Sequence, residues 1–431
     1  MNKTKHTFVF GFALFAGFFG AGNLILPPLL GFNSGADWWL VSLGFIISTT
    51  IIPMLALFGH AKLQGTMLEF SKKVSPLFSL IFCLIIYVLI IALPSPRTAA
   101  VTHEMAIAPF FDTSPLLTSV VYFSLAFIVI INRGNALQFL GKYLTPIIVL
   151  ILLAIIIIGV SYPVVEMKTS EFKTPIINGL LEGYQTYDAL AAMVMGGIVI
   201  ISINNFKEDL SIKDKKRMIA KSGFIAMTGL FIIYAGLILT GALFSSQFPV
   251  DISRTELLAG LASKTLGNIG SLSLSVLVGL ACFTTAVSII ISTADFFKEL
   301  FKGSQKAYLL VTIICCLAGI LVGQFEVSYI IDVALPVLAL LYPTCIALIL
   351  LNAISDNLAS HLVFKWVVVT VLVFSIPDFF NMVLPNQIFK NILSFIPFGE
   401  QNLGWVLPGL IAFMAVNLFQ NFKTDKKLIS N

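Results

Sequence analysis

The sequence predicts an all-α integral membrane protein with twelve transmembrane helices, and three observations carry that expectation. Apolar residues make up 58% of the 431 and charged residues only 11%. That is too little charge to cover the surface of a water-soluble domain. Apolar runs of about 20 residues, the length that crosses roughly 30 Å of hydrocarbon, fall at 7–30, 38–58, 77–101, 116–131, 144–162, 175–203, 222–244, 269–296, 307–323, 332–351, 362–383 and 403–421. With both termini cytoplasmic, 20 of the 26 lysines and arginines lie on the cytoplasmic side, among them Arg133, Lys142 and six in 207–221. Arg97, Lys168, Lys173, Arg254, Lys264 and Lys390 face the other way. The positive-inside rule requires such a bias, and one span more or fewer would scramble it. The net charge of +5 follows from this topology and offers nothing specific to nucleic acid.

Span one contains Phe18-Phe19-Gly20-Ala21-Gly22-Asn23-Leu24-Ile25-Leu26-Pro27-Pro28. It reads as a retained helix, since no small-residue cleavage site follows. Two glycines, an asparagine and a proline pair weaken backbone hydrogen bonding where lipid offers no replacement partner. Unwinding at 20–23 would free carbonyls of the preceding half-helix, those of Ala16 and Phe19 included, for a small hard cation. The next half-helix would turn free N–H groups toward a carboxylate. The alternative is a close packing spot for a neighbouring helix. In span three, Pro94-Ser95-Pro96-Arg97-Thr98 bends or ends the helix. Arg97 either lines an outer vestibule and pairs with a carboxylate or snorkels to the interface. His103-Glu104 reads as a surface loop pair.

Span six carries the second polar break, Glu182-Gly183-Tyr184-Gln185-Thr186-Tyr187-Asp188-Ala189-Leu190. Counted from Pro175 at 1.5 Å per residue, Asp188 lies about 20 Å deep, close to the midplane. A carboxylate there is costly and marks a functional candidate: it could neutralise an ammonium, sit near a cation, or titrate. The alternatives are a structural pair with Arg97 or a hydrogen bond to freed backbone. Glu182 lies nearer the outer surface. The charged stretch 205–221 reads as a solvated loop that orients the chain, or as a site for a partner or lipid headgroup. In span eight, Gly279-Leu280-Ala281-Cys282-Phe283-Thr284-Thr285 brings the Ala281 carbonyl and two threonine hydroxyls to one helix face. With two carbonyls from span one they make five oxygens, reasonable for sodium; membrane threonines also bond their own i−4 carbonyl. The five cysteines, Cys83, Cys282, Cys315, Cys316 and Cys345, read as packing residues.

Spans one to five and six to ten match in kind, each set opening on a broken helix. Five helices per unit place the second copy upside down, the inverted-repeat plan in which two discontinuous helices meet near the midplane. The expected units are 1–163, 164–352 and a third part, 353–431, holding two additional helices. Two six-helix halves are the alternative.

The motifs at 18–28, Pro96-Arg97-Thr98-Ala99, Glu182-Gly183-Tyr184 with Asp188-Ala189-Leu190-Ala191-Ala192, and Leu280-Ala281-Cys282-Phe283-Thr284-Thr285-Ala286 resemble the bacterial branched-chain amino acid carriers. The resemblance covers essentially the whole chain. It implies a leucine-transporter-like fold and sodium-driven uptake of leucine, isoleucine and valine through the bacterial cytoplasmic membrane. It implies a sodium site on Ala16, Phe19, Ala281, Thr284 and Thr285, with Asn23 where some relatives serve a second sodium. The substrate's carboxylate would rest on Gly20, Ala21 and Gly22 beside Asn23, and its ammonium on span six at Tyr187, Asp188 and Ala189. No cofactor is expected beyond sodium as coupling ion, and the only partners expected are the amino acid and the lipid bilayer, with no oligomer required. A proton-coupled carrier of the same fold and a channel are the competing readings. An enzyme is not expected, since no serine–histidine–acid set, phosphate loop or His/Cys cluster occurs.

Overall fold

Lipid cannot hydrogen-bond a peptide group, so a membrane chain must satisfy its backbone within helices or closed barrels. Here the answer is helix: no strand occurs among the described residues. The computed structural model of the chain describes residues 3–132, 145–161, 166–206, 211–384 and 387–429. Arg133, Lys142, Lys207 and the expected unit boundary at 163–164 lie outside them. Seven helical stretches are long and apolar enough to cross a membrane, and others, such as Pro115–Ile131, are apolar but shorter.

The first apolar run is two helices, α1 (Lys3–Phe18) and α2 (Ala21–Ser34). The backbone ladder of α1 closes with Phe19 N–H on the Phe15 carbonyl at 2.8 Å. Gly20 is then extended (φ −124°, ψ −163°), and Pro27 and Pro28 lie inside α2 without ending it. Next come α3 (Trp38–Ile46), a wide turn (Ile47–Ile51) and α4 (Ile52–Leu63). A short α5 (Met67–Lys72) leads to α6 (Pro76–Ala92) and α7 (Pro94–Thr102). The chain continues helically through His103–Ile107, which corrects the expectation of a surface loop pair there. His103 is buried against the Thr118 hydroxyl at 2.8 Å, and Glu104 accepts the Val327 N–H at 2.9 Å. Both side chains are fixed by neighbouring helices that sequence spacing does not reveal.

After α8 (Pro115–Ile131) and α9 (Thr145–Ser161) the second break appears. Here α10 (Pro175–Glu182) tightens into a 3-10 turn (Gly183–Thr186), Tyr187 adopts the left-handed region at φ 63°, and α11 (Asp188–Phe206) follows. The expected loop 205–221 is largely helix: α11 reaches Phe206, and α12 (Ile212–Leu243) starts after the Ser211 hydroxyl caps Asp214 N–H at 3.1 Å. Its basic residues from Lys213 to Lys221 therefore ride on the first turns of a 32-residue helix. The remaining helices are α13 (Arg254–Leu266), α14 (Asn268–Leu300), α15 (Gln305–Val322), α16 (Val327–Ala353), α17 (His361–Val383), α18 (Gln387–Phe395) and α19 (Val406–Ile429). Hydropathy gave no sign of α5, α13 or α18, because each is short and of mixed polarity.

Two close helix contacts frame the centre. A Cβ on Gly31 of α2 would come 1.8 Å from the Ile238 carbonyl, and one on Gly241 of α12 would come 2.0 Å from the Pro28 carbonyl. In the same way Gly44 of α3 abuts the Ile176 carbonyl (1.9 Å), and Gly179 of α10 abuts that of Val41 (2.1 Å). Small residues permit such approach where no hydrophobic force acts between helices. So α12 lies along both parts of the first broken helix, while α3 and α4 lie along the two parts of the second. The five cysteines are free and buried among these helices.

Candidate functional site

Where a helix stops at membrane depth, its unpaired amides and carbonyls must find partners. At the first break Gly20 N–H donates to Asn23 Oδ1 at 3.2 Å. Asn23 Nδ2 in turn donates to both oxygens of Asp188, at 2.9 and 3.1 Å, and to the Tyr234 hydroxyl. Tyr234 donates to Asp188 Oδ2 at 2.9 Å, and Asp188 N–H reaches the Thr186 hydroxyl at 3.3 Å. Asp188 is fully buried. It ties the second break to the first and to α12, and the Arg97 pairing weighed for it is not formed. Ala189 N–H donates to the Tyr342 hydroxyl on α16 at 3.2 Å. Neither tyrosine was singled out from the sequence; each is a lone hydroxyl in an apolar span, a signal too common to act on.

Arg97 does not snorkel. It is buried, its Nη2 donates to the Gln185 carbonyl at 2.9 Å, and its guanidinium lies 5.1 Å from the Tyr187 ring centre. Its Nε is buried without a partner. A Cβ on Gly22 would sit 2.4 Å from Arg97 Nη2, so the guanidinium lies directly against the start of α2. Beside it, Glu182 and Gln185 form a second network with Arg254 of α13: Arg254–Glu182 at 3.0 Å, Arg254–Gln185 at 3.0 Å and Gln185–Glu182 at 2.8 Å. From the sequence, Arg254 reads only as a charge on the outer side.

The expected sodium residues fall in two groups. Thr285 Oγ1 donates across helices to the Phe19 carbonyl at 3.2 Å, and a Cβ on Gly20 would lie 2.8 Å from that same hydroxyl. Thr284 Oγ1 donates instead to the Ala281 carbonyl at 2.9 Å, within its own helix. Ala16 and Ala281 are buried nearby in α1 and α14.

A cavity of about 50 Å³, room for a few ordered waters, adjoins these groups. Gly20, Gly22, Asn23, Arg97, Thr186, Tyr187 and Thr285 supply its polar wall, and Ile90, Val194, Met195 and Ile289 its apolar one. Gly20, Gly22, Asn23 and Tyr187 thus meet at one space; Asp188 and Ala189 stand behind it, and Ala21 opens α2 between the two glycines.

Residues 3–423 match the family described as branched-chain amino acid transport protein. The chain is 33% identical over 416 residues to the branched-chain amino acid transport system 2 carrier protein of Pseudomonas aeruginosa, covering 94% of this chain and 93% of that one. It is 30% identical over 427 residues to the branched-chain amino acid permease BraB of Bacillus subtilis, covering 94% of each. Among solved structures it resembles a Na+-coupled sialic acid symporter (TM-score 0.61, 14% identity, 96% of this chain and 89% of that one). It also resembles MhsT in complex with L-phenylalanine (TM-score 0.55, 17% identity, 95% and 97%). Identities that low speak for the fold alone, which is all-helical and leucine-transporter-like. The protein is a multi-pass membrane transporter and not an enzyme, and the chain belongs to the branched-chain amino acid transport protein family.

Proposed function

We propose that this protein is a secondary symporter that carries leucine, isoleucine and valine into a bacterial cell by alternating access, driven by a sodium gradient. The observation that carries the proposal is the bond of Thr285 to the Phe19 carbonyl beside Gly20, at the place where Gly20 and Thr285 line the central cavity. The named activity of the relatives as branched-chain amino acid carriers supplies the substrate class. Sodium would take the carbonyls of Ala16, Phe19 and Ala281 and the hydroxyls of Thr284 and Thr285. These are neutral oxygens, the donor set a hard cation prefers. Both hydroxyls would turn their protons away from the ion and keep their lone pairs toward it.

The amino acid would lie in the cavity beside this cluster. Its carboxylate faces the N–H groups at Gly20, Ala21 and Gly22, with Gly20 giving up its bond to Asn23 Oδ1, where the dipole of α2 favours an anion. Arg97 adds a full positive charge on the same side, and its unpartnered Nε suits an incoming oxygen. The ammonium faces the second break at Tyr187, with Asp188 and Ala189 behind that wall and Asn23 between the two ends. The aliphatic wall of Ile90, Val194 and Ile289 takes the branched side chain. The cavity must widen to admit it, which the flexible Met195 side chain allows.

The twelve-helix reading places α1–α2 and α10–α11 as discontinuous spans one and six. The packing of α12 on the first and of α3–α4 on the second supports the 5+5 inverted repeat, units 1–163 and 164–352, because exchanging the units exchanges these contacts. Residues 353–431 hold the two extra helices. Both termini face the cytoplasm, and one copy in a bilayer suffices. The test is counterflow: proteoliposomes preloaded with unlabelled leucine should accumulate labelled leucine, with isoleucine and valine competing. A pore would equilibrate the label without overshoot.

A further inference from the structure

Asp378 lies in the later half of α17, 1% exposed, and neither of its carboxyl oxygens has a hydrogen-bond partner. No ion pair reaches it among the described residues. One turn on, the buried Asn381 Oδ1 is unpartnered as well, and residues three apart share a helix face. Two donors stand idle in the same region: the Tyr184 hydroxyl and Trp405 Nε1, both buried. Tyr184 lies within electrostatic reach of Asp378 and close to the Trp405 indole. It belongs to the 3-10 turn of the second break and stacks on Tyr342 at 4.2 Å, the residue that holds Ala189 N–H.

A buried carboxylate with no donor is untenable as an anion. Such a carboxyl calls for a donor, and a proton on the carboxyl itself supplies it. We propose that Asp378 is a proton-binding site, separate from the sodium cluster, whose occupancy sets the position of the turn that carries Tyr184. This rests on the symporter reading only for its effect on transport. Of the elements around it, α16 carries the exposed Tyr329 and Asp332 and the buried Tyr342 and Cys345, while α17 itself has His361 and Lys365, α18 Lys390, and the turn before α19 Glu400, all exposed; the described face of α19 has no titratable residue. Of the buried groups near it, Tyr184 is the one whose hydroxyl lies within electrostatic reach of Asp378.

The proton comes from water and returns to water, and no other covalent bond changes. Asp378 stands five residues from the end of α17, about 7.5 Å along the helix axis, so exchange need not cross the membrane. When the proton leaves, the carboxylate draws in Tyr184 O–H and Trp405 N–H. The 3-10 turn shifts, and with it Thr186 and Tyr187 on the cavity wall. The cavity wall described above belongs to the protonated form, so uptake falls as pH rises.

Infrared difference spectra of the purified protein across a pH step should contain a protonated-carboxyl band that Asp378→Asn removes. In proteoliposomes under a fixed sodium gradient, wild-type leucine uptake should fall by up to about tenfold per pH unit above the titration. Asp378→Asn should flatten that slope. Tyr184→Phe should make it shallower and shift the band, which keeps the test open if Asp378→Asn does not fold. An infrared band or pH slope unchanged in a folded Asp378→Asn overturns the proposal. So does a tenfold rise in the sodium needed for half-maximal uptake with the slope intact, which would assign a metal cation to the site. Absence of leucine uptake in the wild type would count against the symporter reading, while the infrared result would still decide the proton site.

Discussion

Replacing Gly20 by alanine tests the proposed ion cluster with a single methyl group. The added Cβ would stand 2.8 Å from Thr285 Oγ1, 2.9 Å from its Cγ2 and 3.2 Å from its Cβ. Threonine is stiff at χ1, and Thr285 sits mid-way along the 33-residue α14, so the clash cannot be relieved by a loose side-chain end. Overpacking of this kind costs about 1–3 kcal/mol. Turning Oγ1 aside would also forfeit its bond to the Phe19 carbonyl, about 1 kcal/mol more. Strain of 1–3 kcal/mol falling on the ion-bound state corresponds to a roughly 5- to 150-fold change in affinity. The sodium concentration for half-maximal leucine uptake should rise by that factor. Gly279→Ala is the matched control: it lies on the same helix and its Cβ would meet nothing within 4 Å, so it should leave sodium dependence unchanged. Wild-type sodium dependence in Gly20→Ala, at equal amounts of protein in the membrane, would refute the reasoning.

Three further outcomes follow from the same geometry. Thr285→Ala should weaken sodium dependence and leucine uptake together, and Thr285→Ser, which keeps the hydroxyl, should restore most of both; equal loss in both variants would point to packing. Asp188→Ala takes the acceptor from the Tyr234 hydroxyl and from one N–H of the Asn23 amide, at about 1–3 kcal/mol each, and should lower the thermal unfolding midpoint in detergent, whereas Asp188→Asn, which keeps an acceptor, should lower it less. Arg254→Ala removes a half-buried ion pair worth up to about 1 kcal/mol and should speed thiol labelling of Thr186→Cys from the outer face by a few-fold, with unchanged labelling as the contrary result.

The helical architecture and the two breaks were legible in composition, because a bilayer punishes glycine, proline and carboxylate in mid-span and so makes them conspicuous. Gly20 and Asp188 stand out for that reason alone. The partners of those residues were not legible. Asp188 bonds Asn23 and Tyr234, 165 and 46 residues away, and no spacing rule reaches across helices from different parts of a chain. Arg97 was expected to find a carboxylate or water and instead found a peptide carbonyl and a ring face, both created by the second break. The helices α13 and α18 escaped because hydropathy windows tuned to a bilayer pass over short elements of mixed polarity. Arg254 escaped with them.

The central claim is that sodium, held where Phe19 meets Thr285, drives branched-chain amino acid uptake. The direct test is leucine uptake into proteoliposomes under a sodium gradient and, separately, under a proton gradient of equal size. The account predicts accumulation above equilibrium with inward sodium alone, lost in Thr285→Ala. Accumulation under the proton gradient alone, with none under sodium, would contradict it.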